Sequence, residues 1–240
     1  MRRDHRPYFV KKAYLRFQAA YARHFIKPRF DALGDGFYFI HPWNIEVFGS
    51  PITIGRCANI LTTRENKVRL TVWPEQKGKG RIAIGDYSLI CPGVRISSAD
   101  SISIGDNCMI AGNAYITDSD WHGIYDRVWS VGYTAPITIE ENVWIGDGAV
   151  ICKGVTIGQN SIVGIRSVVK QSIPANCIAV GNPAKVVKEL DTKQPLRKRS
   201  DWYEDPAALS RDIDNIDQDY LRDNTLLKWF WTMFFPKPTD

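Results

Sequence analysis

The chain has 240 residues, a formal net charge of +5 and 44% hydrophobic residues, a composition ordinary for a soluble globular protein of one large domain. It contains no run of about 18 apolar residues, so we expect no transmembrane helix. The first residues lack the apolar core and the small-residue cleavage site of a signal peptide, so we expect none.

The five cysteines are odd in number, which does not suit a disulfide framework. Three of them, Cys91, Cys108 and Cys152, fall within a short repeat that is described below. We interpret the cysteines as small, buried, space-filling residues of a protein in a reducing compartment.

The positive charge is concentrated at the start of the chain, where residues 1–30 carry nine Lys and Arg against the single acid Asp4. A helix is predicted over residues 8–26, because aromatic residues recur there at the spacing of one helix face. These residues are Tyr14, Phe17, Tyr21 and Phe25. We favour a helix that packs this face on the rest of the domain, with contact to an anionic membrane surface as the alternative. Nucleic-acid binding is not expected, since the charge lies on one helix without a recognised motif.

Residues 36–60 are predicted to form the initial strands of the domain. Residues 61–81 are predicted to leave it as a hairpin-like excursion. The segment VRLTVW alternates like a strand, and Pro74, Gly78 and Gly80 mark a turn.

From Ile82 onward, an aliphatic residue stands at every sixth position in three runs. These residues are Ile84, Ile90 and Ile96, then Ile104, Ile110 and Ile116, then Ile139, Ile145, Ile151, Ile157, Val163 and Val169. A fixed short period that is not a multiple of 3.6 is typical of a stacked solenoid. Three short strands, each with one inward aliphatic residue, would make a coil of about 18 residues stacked at the ~4.8 Å spacing of neighbouring strands.

The repeat stops over residues 117–136, which carry aromatic residues and a histidine. Loops of this length inside a regular domain are uncommon and are usually functional. Past Val169 we expect a cap, and then a charged segment that is helical around residues 206–233. We divide the chain into a basic amphipathic helix (1–34), the repeat domain with its loop (35–187) and a mostly helical extension (188–240).

The segments IGDNCMIAGNAYITD, ITIEENVWIGDGAVICKGVTIGQNSIVGIRSVV and IPANCIAVGNPAKVV resemble the hexapeptide-repeat acyltransferases. The resemblance is to the sugar O-acetyltransferases related to maltose and galactoside acetyltransferases and to those that modify polysaccharides. It implies that the predicted solenoid is a left-handed parallel β-helix, so we expect an all-β solenoid with the predicted helical appendages at both ends. It also implies a homotrimer with active sites between subunits, acetyl-CoA as co-substrate and a saccharide acceptor. From the cysteines and the basic N-terminal helix we expect a cytoplasmic protein, with the inner face of the membrane as an alternative location.

The resemblance also assigns the catalytic residues. Enzymes of this family carry the catalytic histidine in an extended loop, and His122 is the residue that matches. A histidine suits the removal of a hydroxyl proton because its pKa lies near neutrality. Asp118 and Asp120 are candidates for orienting the imidazole, although either could be a simple turn residue. Related enzymes have an Asn where this chain has Gly93, which puts acceptor recognition in doubt.

For the groove that would take CoA, the resemblance points to Trp144, Gly146 and Ile165. Basic residues suited to its phosphates form a second group: Arg166, Lys170, Lys185 and Lys188. The aromatic residues Trp121, Tyr125 and Trp129 of the loop could contact a sugar ring or could pack on a neighbouring subunit.

Three alternatives remain at this stage. The same loop histidine would serve N-acetylation of an amino sugar, which is the nearest rival. A non-catalytic scaffold that binds a partner through the N-terminal helix is a further one. A zinc carbonic anhydrase on the same scaffold would need three converging histidines, but three of the four histidines precede the main repeat, so no metal is expected.

Overall fold

The computed structural model describes residues 4–73, 79–128 and 131–235. Pro74 and Gly78 of the predicted turn, and the predicted substrate residue Trp129, lie outside these residues. Contacts divide the chain into two compact units, one of residues up to Ala20 together with those from Asp201 onward, and the other of Tyr21–Ser200.

The larger unit consists of three sheets in which the strands run parallel, apart from the last strand of the second sheet. The first sheet contains β1 (Ala32–Leu33), β4 (Ile52–Ile54), β7 (Ile82–Ile84), β10 (Ile102–Ile104), β13 (Ile137–Ile139) and β16 (Thr156–Ile157). The second contains β2 (Tyr38–Ile40), β5 (Asn59–Leu61), β8 (Leu89–Ile90), β11 (Met109–Ile110), β14 (Trp144–Ile145), β17 (Ile162–Val163), β19 (Cys177–Val180) and β20 (Lys185–Glu189). The third contains β3 (Ile45–Phe48), β6 (Val68–Val72), β9 (Arg95–Ser98), β12 (Tyr115–Thr117), β15 (Val150–Ile151) and β18 (Val168–Val169).

Successive strands pass from one sheet to the next, so the chain winds in coils of three strands, and the predicted parallel repeat architecture is confirmed. Within the last coils, Ile139 pairs with Ile157 and Ile145 with Val163, which are eighteen residues apart. The predicted coil length is therefore correct for this part of the chain. The left-handed sense of the coil stays a prediction.

The repeated aliphatic residues form columns that run along the inside of the sheets. In the second sheet, Ile90, Ile110, Ile145 and Val163 are stacked in register, and each is fully buried. Burial of such a side chain is worth about 1.5–3 kcal/mol relative to exposure. The side chains on the three sheets belong to a single core cluster, so the columns account for most of the apolar burial.

The prediction of a hairpin-like excursion over residues 61–81 is wrong. The segment Val68–Val72 is strand β6, and it pairs in parallel with β3 on one side and β9 on the other. Its residues Val68, Leu70 and Val72 are buried in the common core. The alternation of VRLTVW correctly indicated a strand, but its partners lie one coil away on either side and not in an adjacent hairpin arm. The cap also begins as part of a coil, because β19 extends the second sheet in parallel before β20 turns back antiparallel to it.

The corner between the first and second sheets depends on residues that tolerate a positive φ. The residues there with φ between 54° and 62° are Cys57, Tyr87, Asn107, Asn142, Asn160 and Asn176. Asparagine adopts this conformation more readily than most side chains. Asn142 donates through its amide nitrogen to Asn160 Oδ1 at 3.0 Å, and Asn160 donates to Asn176 Oδ1 at 2.8 Å. The corner is thus a ladder of amide hydrogen bonds between coils.

The segment that follows the cap lies along this same corner. Arg199 donates to Asn59 Oδ1 and to the carbonyl of Tyr87, both at 2.6 Å, and the backbone N–H of Ser200 donates to Asn107 Oδ1 at 2.7 Å. Lys198 pairs with Glu141 at 2.7 Å. Residues 198–200 therefore link several coils along one edge of the solenoid.

The smaller unit is helical. It contains most of α1 (Tyr8–Tyr21), and it contains α2 (Pro206–Leu221) and α3 (Leu226–Phe234), so the predicted helices at both ends of the chain are confirmed. The helix α1 continues as a π-helix over Ala22–Ile26. Lys11 pairs with Asp217 at 2.6 Å and Lys12 with Asp214 at 3.0 Å, so α2 neutralises two of the lysines on α1. Of the helices in the part of the chain that the structure describes, none is long and apolar enough to cross a bilayer.

We expect Asn160→Ala to lower the free energy of unfolding by about 3 kcal/mol. The change removes two ladder hydrogen bonds, each worth about 1 kcal/mol, and it places an alanine at a φ of 62°. The control Asn160→Gly loses the same bonds but tolerates the backbone conformation, so it should cost less. Urea unfolding of the two variants tests this, and equal losses would contradict a conformational contribution.

All five cysteines are free, and burial raises the pKa of the Cys108 thiol to about 12. We therefore expect Cys108 to resist thiol reagents at pH 8 in the native protein, because only the thiolate reacts. Mass spectrometry after brief alkylation, with and without urea, measures this. Labelling of Cys108 in native protein as fast as in unfolded protein would contradict the expectation.

Candidate active site

The loop of residues 117–136 interrupts the coil as predicted, between the end of β12 and the start of β13. Its two ends are tied together by an antiparallel bridge between Ser119 and Thr134. The N–H of Asp120 donates to the carbonyl of Tyr133 at 3.2 Å, and the N–H of Ala135 donates to that of Asp118 at 3.0 Å. The loop therefore leaves and re-enters the solenoid at one place.

Asp118, at the base of the loop, is completely buried. Its carboxylate accepts hydrogen bonds from Ser98 Oγ at 2.7 Å, from the N–H of Ala99 at 2.7 Å and from the N–H of Asp100 at 3.0 Å. Both of its oxygens are thus bound to the preceding coil. The residue fastens the loop to the end of β9.

Trp121 turns the loop away from the sheet. Its φ of 61° lies in the left-handed region, and its N–H donates to Ser119 Oγ at 3.0 Å. Its indole N–H lies 3.1 Å from Tyr115 Oη and 2.9 Å from Thr117 Oγ1, so the ring is held over strand β12.

His122, the predicted catalytic residue, follows directly and is exposed. Its carbonyl lies against Gly132, where a Cβ would collide with it. Gly132 is therefore needed for the two arms of the loop to approach each other, and the imidazole stands at the surface next to this crossing.

Asp120 pairs with Lys153, which follows β15 on the next coil. The ammonium of Lys153 also lies 5.5 Å from the ring centroid of Tyr133. Sequence reasoning missed Lys153. Only its position after a strand of the third sheet, stacked beyond β12, could have indicated that it meets the loop.

Lys170, predicted to bind phosphate, lies one coil further along the same sheet, beside Lys153. Burial raises the pKa of the Cys152 thiol. The positive charges of Lys170 and Lys153 lower it and offset part of this effect. Since Lys153 is paired with Asp120, Lys170 supplies the additional positive charge here.

The predicted groove residues Trp144, Gly146, Ile165 and Arg166 come together at the corner between the second and third sheets. Trp144 and Ile165 expose 46% and 67% of their surfaces, which leaves apolar area open to a ligand. A Cβ at Gly146 would lie 2.7 Å from the backbone nitrogen of Ile165, so the coils are in close contact there. The N–H of Arg166 donates to the carbonyl of Asp147 at 2.8 Å, which fixes the turn.

Lys185 and Lys188 lie on β20, which is exposed at every residue. Three strand pairings separate Lys188 from Trp144 in the second sheet. Lys188 is opposite Ile178, Ile178 is opposite Ile162, and Ile162 is opposite Trp144. At the ~4.8 Å spacing of neighbouring strands, Lys188 is therefore about 14 Å from Trp144 along the sheet. The structure places the two lysines on the same sheet as Trp144 but not in direct contact with it.

The remaining candidates are placed as follows. Tyr125 is fully exposed near the tip of the loop, and Trp129 lies outside the described residues. Gly93 has a φ of 81°, and a Cβ there would lie against the side-chain oxygen of Asn113. Across residues 4–73, 79–128 and 131–235, no three His, Cys, Asp or Glu side chains are grouped to hold a metal ion.

Two segments of the chain match models of known protein families. Residues 136–171 match the bacterial transferase hexapeptide (six repeats), and residues 81–118 match the hexapeptide repeat of succinyl-transferase. Both segments lie within the coils, on either side of the loop that carries His122.

The chain is also similar to curated proteins. It is 41% identical over 95 residues to galactoside O-acetyltransferase of Escherichia coli (strain K12), covering 39% of this chain and 46% of that protein. It is 31% identical over 134 residues to the putative lipopolysaccharide biosynthesis O-acetyl transferase WbbJ of the same strain, covering 51% of this chain and 68% of that one. The chain thus spans about half the length of several curated relatives that it matches, and two thirds of WbbJ.

Among solved structures, a mutant of AntD, an N-acyltransferase from Bacillus cereus in complex with dTDP and coenzyme A, has a TM-score of 0.52 to this chain. The identity is 17%, and the match covers 73% of this chain and 90% of that one. This similarity shows a shared fold.

We expect Asp118→Asn to destabilise the protein by about 1–3 kcal/mol, because an amide nitrogen would replace an oxygen that accepts hydrogen bonds from buried donors. Asp120→Asn is the matched control. It removes only a partly exposed ion pair, so its cost should be below about 1 kcal/mol. Chemical unfolding of both variants measures the difference, and equal losses would contradict the anchoring role of Asp118.

Proposed function

Because this chain belongs to the hexapeptide-repeat acyltransferases, in the group of sugar O-acetyltransferases, we propose that it transfers an acetyl group from acetyl-CoA to a hydroxyl of a saccharide. The observation that carries the proposal is the anchored loop after β12, which leaves His122 exposed next to the third sheet. A surface polysaccharide or its precursor fits the acceptor best, since WbbJ is named for lipopolysaccharide biosynthesis.

In this proposal His122 is the general base. Its imidazole takes the proton of the acceptor hydroxyl while the hydroxyl oxygen attacks the thioester carbonyl, and the CoA sulfur leaves as the carbon–oxygen bond forms. The imidazole must be neutral to accept the proton.

The two aspartates take different roles in the proposal. Asp118 positions the loop, because its oxygens are already bound to the Ser98 hydroxyl at the end of β9 and to the backbone N–H groups of Ala99 and Asp100. Asp120 remains the candidate for orienting His122, and its pairing with Lys153 would hold its carboxylate in place.

The thioester would lie along the corner of Trp144, Gly146 and Ile165. Exposed apolar side chains beside a close backbone contact suit the mixed amide and hydrocarbon character of pantetheine. The phosphates would be met by Arg166 and Lys170, with Lys185 and Lys188 further along the second sheet.

A homotrimer with sites between subunits, built on a left-handed coil, belongs to the same proposal. Its support is the tip of the loop, where Ile124, Tyr125 and Val128 are almost fully exposed. Exposed aromatic and aliphatic side chains of this kind commonly become buried in an interface. Tyr125 would then contact the neighbouring subunit, the acceptor or both, and Trp121 remains a second aromatic candidate for the acceptor.

O-acetylation is favoured over N-acetylation because the relatives with 31–41% identity quoted above are named O-acetyltransferases. The AntD similarity, at 17% identity, bears on the fold alone. The reaction is proposed to take place in the cytoplasm. Membrane contact through the basic N-terminal helix stays a prediction, and the pairing of Lys11 and Lys12 with α2 reduces the charge available for it.

We expect His122→Ala to reduce acetyl transfer to a saccharide acceptor by about 10²–10⁴-fold, the range typical of a general base. Transfer from radiolabelled acetyl-CoA to a panel of saccharides and amino sugars would be measured. Stabilisation of the variant by acetyl-CoA in a thermal-shift assay should persist, since His122 does not hold the donor.

His24→Ala is the matched control, because His24 is an exposed histidine outside the loop. An active His122→Ala variant would refute the assignment of the base. If only amino groups became labelled, the reaction would be N-acetylation and not O-acetylation. If acetyl-CoA did not raise the melting temperature, a non-catalytic scaffold would be favoured.

A further inference from the structure

The third sheet carries an open cleft of about 300 Å³ next to the loop, lined by Trp73, Ser97, Tyr115, Trp121 and Val131. This volume is at the lower end of the range for small-molecule sites. Among the lining residues, Trp121 is the one that the sequence predicted to contact the acceptor.

The lining residue Ser97 belongs to a row of hydroxyl side chains on three neighbouring strands. Thr71 on β6 pairs in register with Ser97 on β9, and Ser97 pairs with Thr117 on β12. Thr71 Oγ1 donates to Ser97 Oγ at 3.0 Å. A hydroxyl both donates and accepts, so Ser97, whose oxygen accepts from Thr71, can still donate to a ligand.

Two indoles form the walls. Trp73 is stacked on Phe48, with 4.3 Å between the ring centroids, yet about half of its surface remains exposed. Trp121 is held by hydrogen bonds from its indole N–H to Tyr115 and Thr117. Both rings are therefore fixed before any ligand arrives, and rigid aromatic faces around hydroxyl groups match a sugar, which has an apolar ring face and a polar edge.

The rim of the cleft is positively charged. The guanidinium of Arg95 lies 4.3 Å from the ring centroid of Tyr115, and among the described residues no carboxylate pairs with it. The neighbouring acids are each engaged by a base: Glu46 by Lys67 and Arg69, Asp100 by Lys79, and Asp120 by Lys153. Arg95 is therefore an excess cation beside the aromatic walls.

We propose that this cleft is an acceptor subsite that holds one ring of an acidic saccharide chain, with Trp73 and Trp121 against the ring and Arg95 facing its carboxylate. The proposal rests on the proposed function for the role of the bound chain as acceptor. Because Trp121 and His122 are consecutive, the sugar next to the bound ring would lie at the imidazole, so the acceptor has at least two sugar units.

Binding can be tested without turnover, using titration calorimetry on the wild-type protein and on His122→Ala. The probes are tetragalacturonate, which is acidic, and maltotetraose, which is neutral and of the same length. We expect saturable binding of tetragalacturonate to both proteins, about tenfold tighter than that of maltotetraose, and weaker at high salt.

Three variants locate the site. Trp73→Ala should weaken binding of tetragalacturonate by about tenfold, and Arg95→Gln should bring its affinity close to that of maltotetraose. Trp43→Ala, which truncates a partly exposed tryptophan outside the cleft, should leave both affinities unchanged. Trp73 and Arg95 lie outside the buried core, so both variants should remain folded at the temperature of the titration, and a melting curve of each variant checks this.

Each outcome decides the proposal. No saturable binding, equal binding of both probes, or binding unaffected by Trp73→Ala would overturn it. Binding that follows the expected pattern in a protein that shows no acetyl transfer would uphold the cleft and refute the proposed function, so the two can fail separately.

Discussion

The structure depends on the parallel register between successive coils. Ile96, Ile116 and Ile151 meet in this register inside the third sheet, and each is fully buried. Because side chains alternate across a strand, a slip by one residue would turn the whole column toward solvent, so the core fixes the register strongly. The same register aligns the outer face, where Arg95 is opposite Tyr115 on the next coil. The cleft is therefore a consequence of the register that builds the core.

The loop is compatible with this constraint because the register resumes beyond it. Tyr115 on β12 pairs with Val150 on β15, although the intervening chain includes the whole loop. Closing a longer loop adds little entropic cost, provided that its two ends meet. Here they meet through the bridge between Ser119 and Thr134, and the buried carboxylate of Asp118 fixes the first arm to the coil below. An insertion of this kind adds side chains beside the third sheet and leaves the inner aliphatic columns in register.

The sequence predicted the coils wherever an aliphatic residue recurs at intervals of six, and the loop wherever this pattern stops. It failed at residues 61–81, because β6 has three inward residues in a longer coil, so Val68, Leu70 and Val72 show only the alternation that any strand shows. It also could not separate the roles of Asp118 and Asp120. They are two residues apart, and their partners, Ser98 and Lys153, come from the coils on opposite sides of β12. Such contacts follow from stacking and not from local spacing.

Two sets of hydrogen bonds, one at Asp118 and one at Trp121, hold the residues that precede His122. Asp118 holds the start of the loop, and the indole of Trp121 is bound over β12. Trp121 adopts a φ of 61°, and its indole lies on the sheet while the side chain of His122 is exposed. A side chain on an untethered loop would lose conformational entropy whenever a contact fixed its position. Here the residues just before His122 are already fixed by contacts within the folded chain, so less of that entropy remains to be lost.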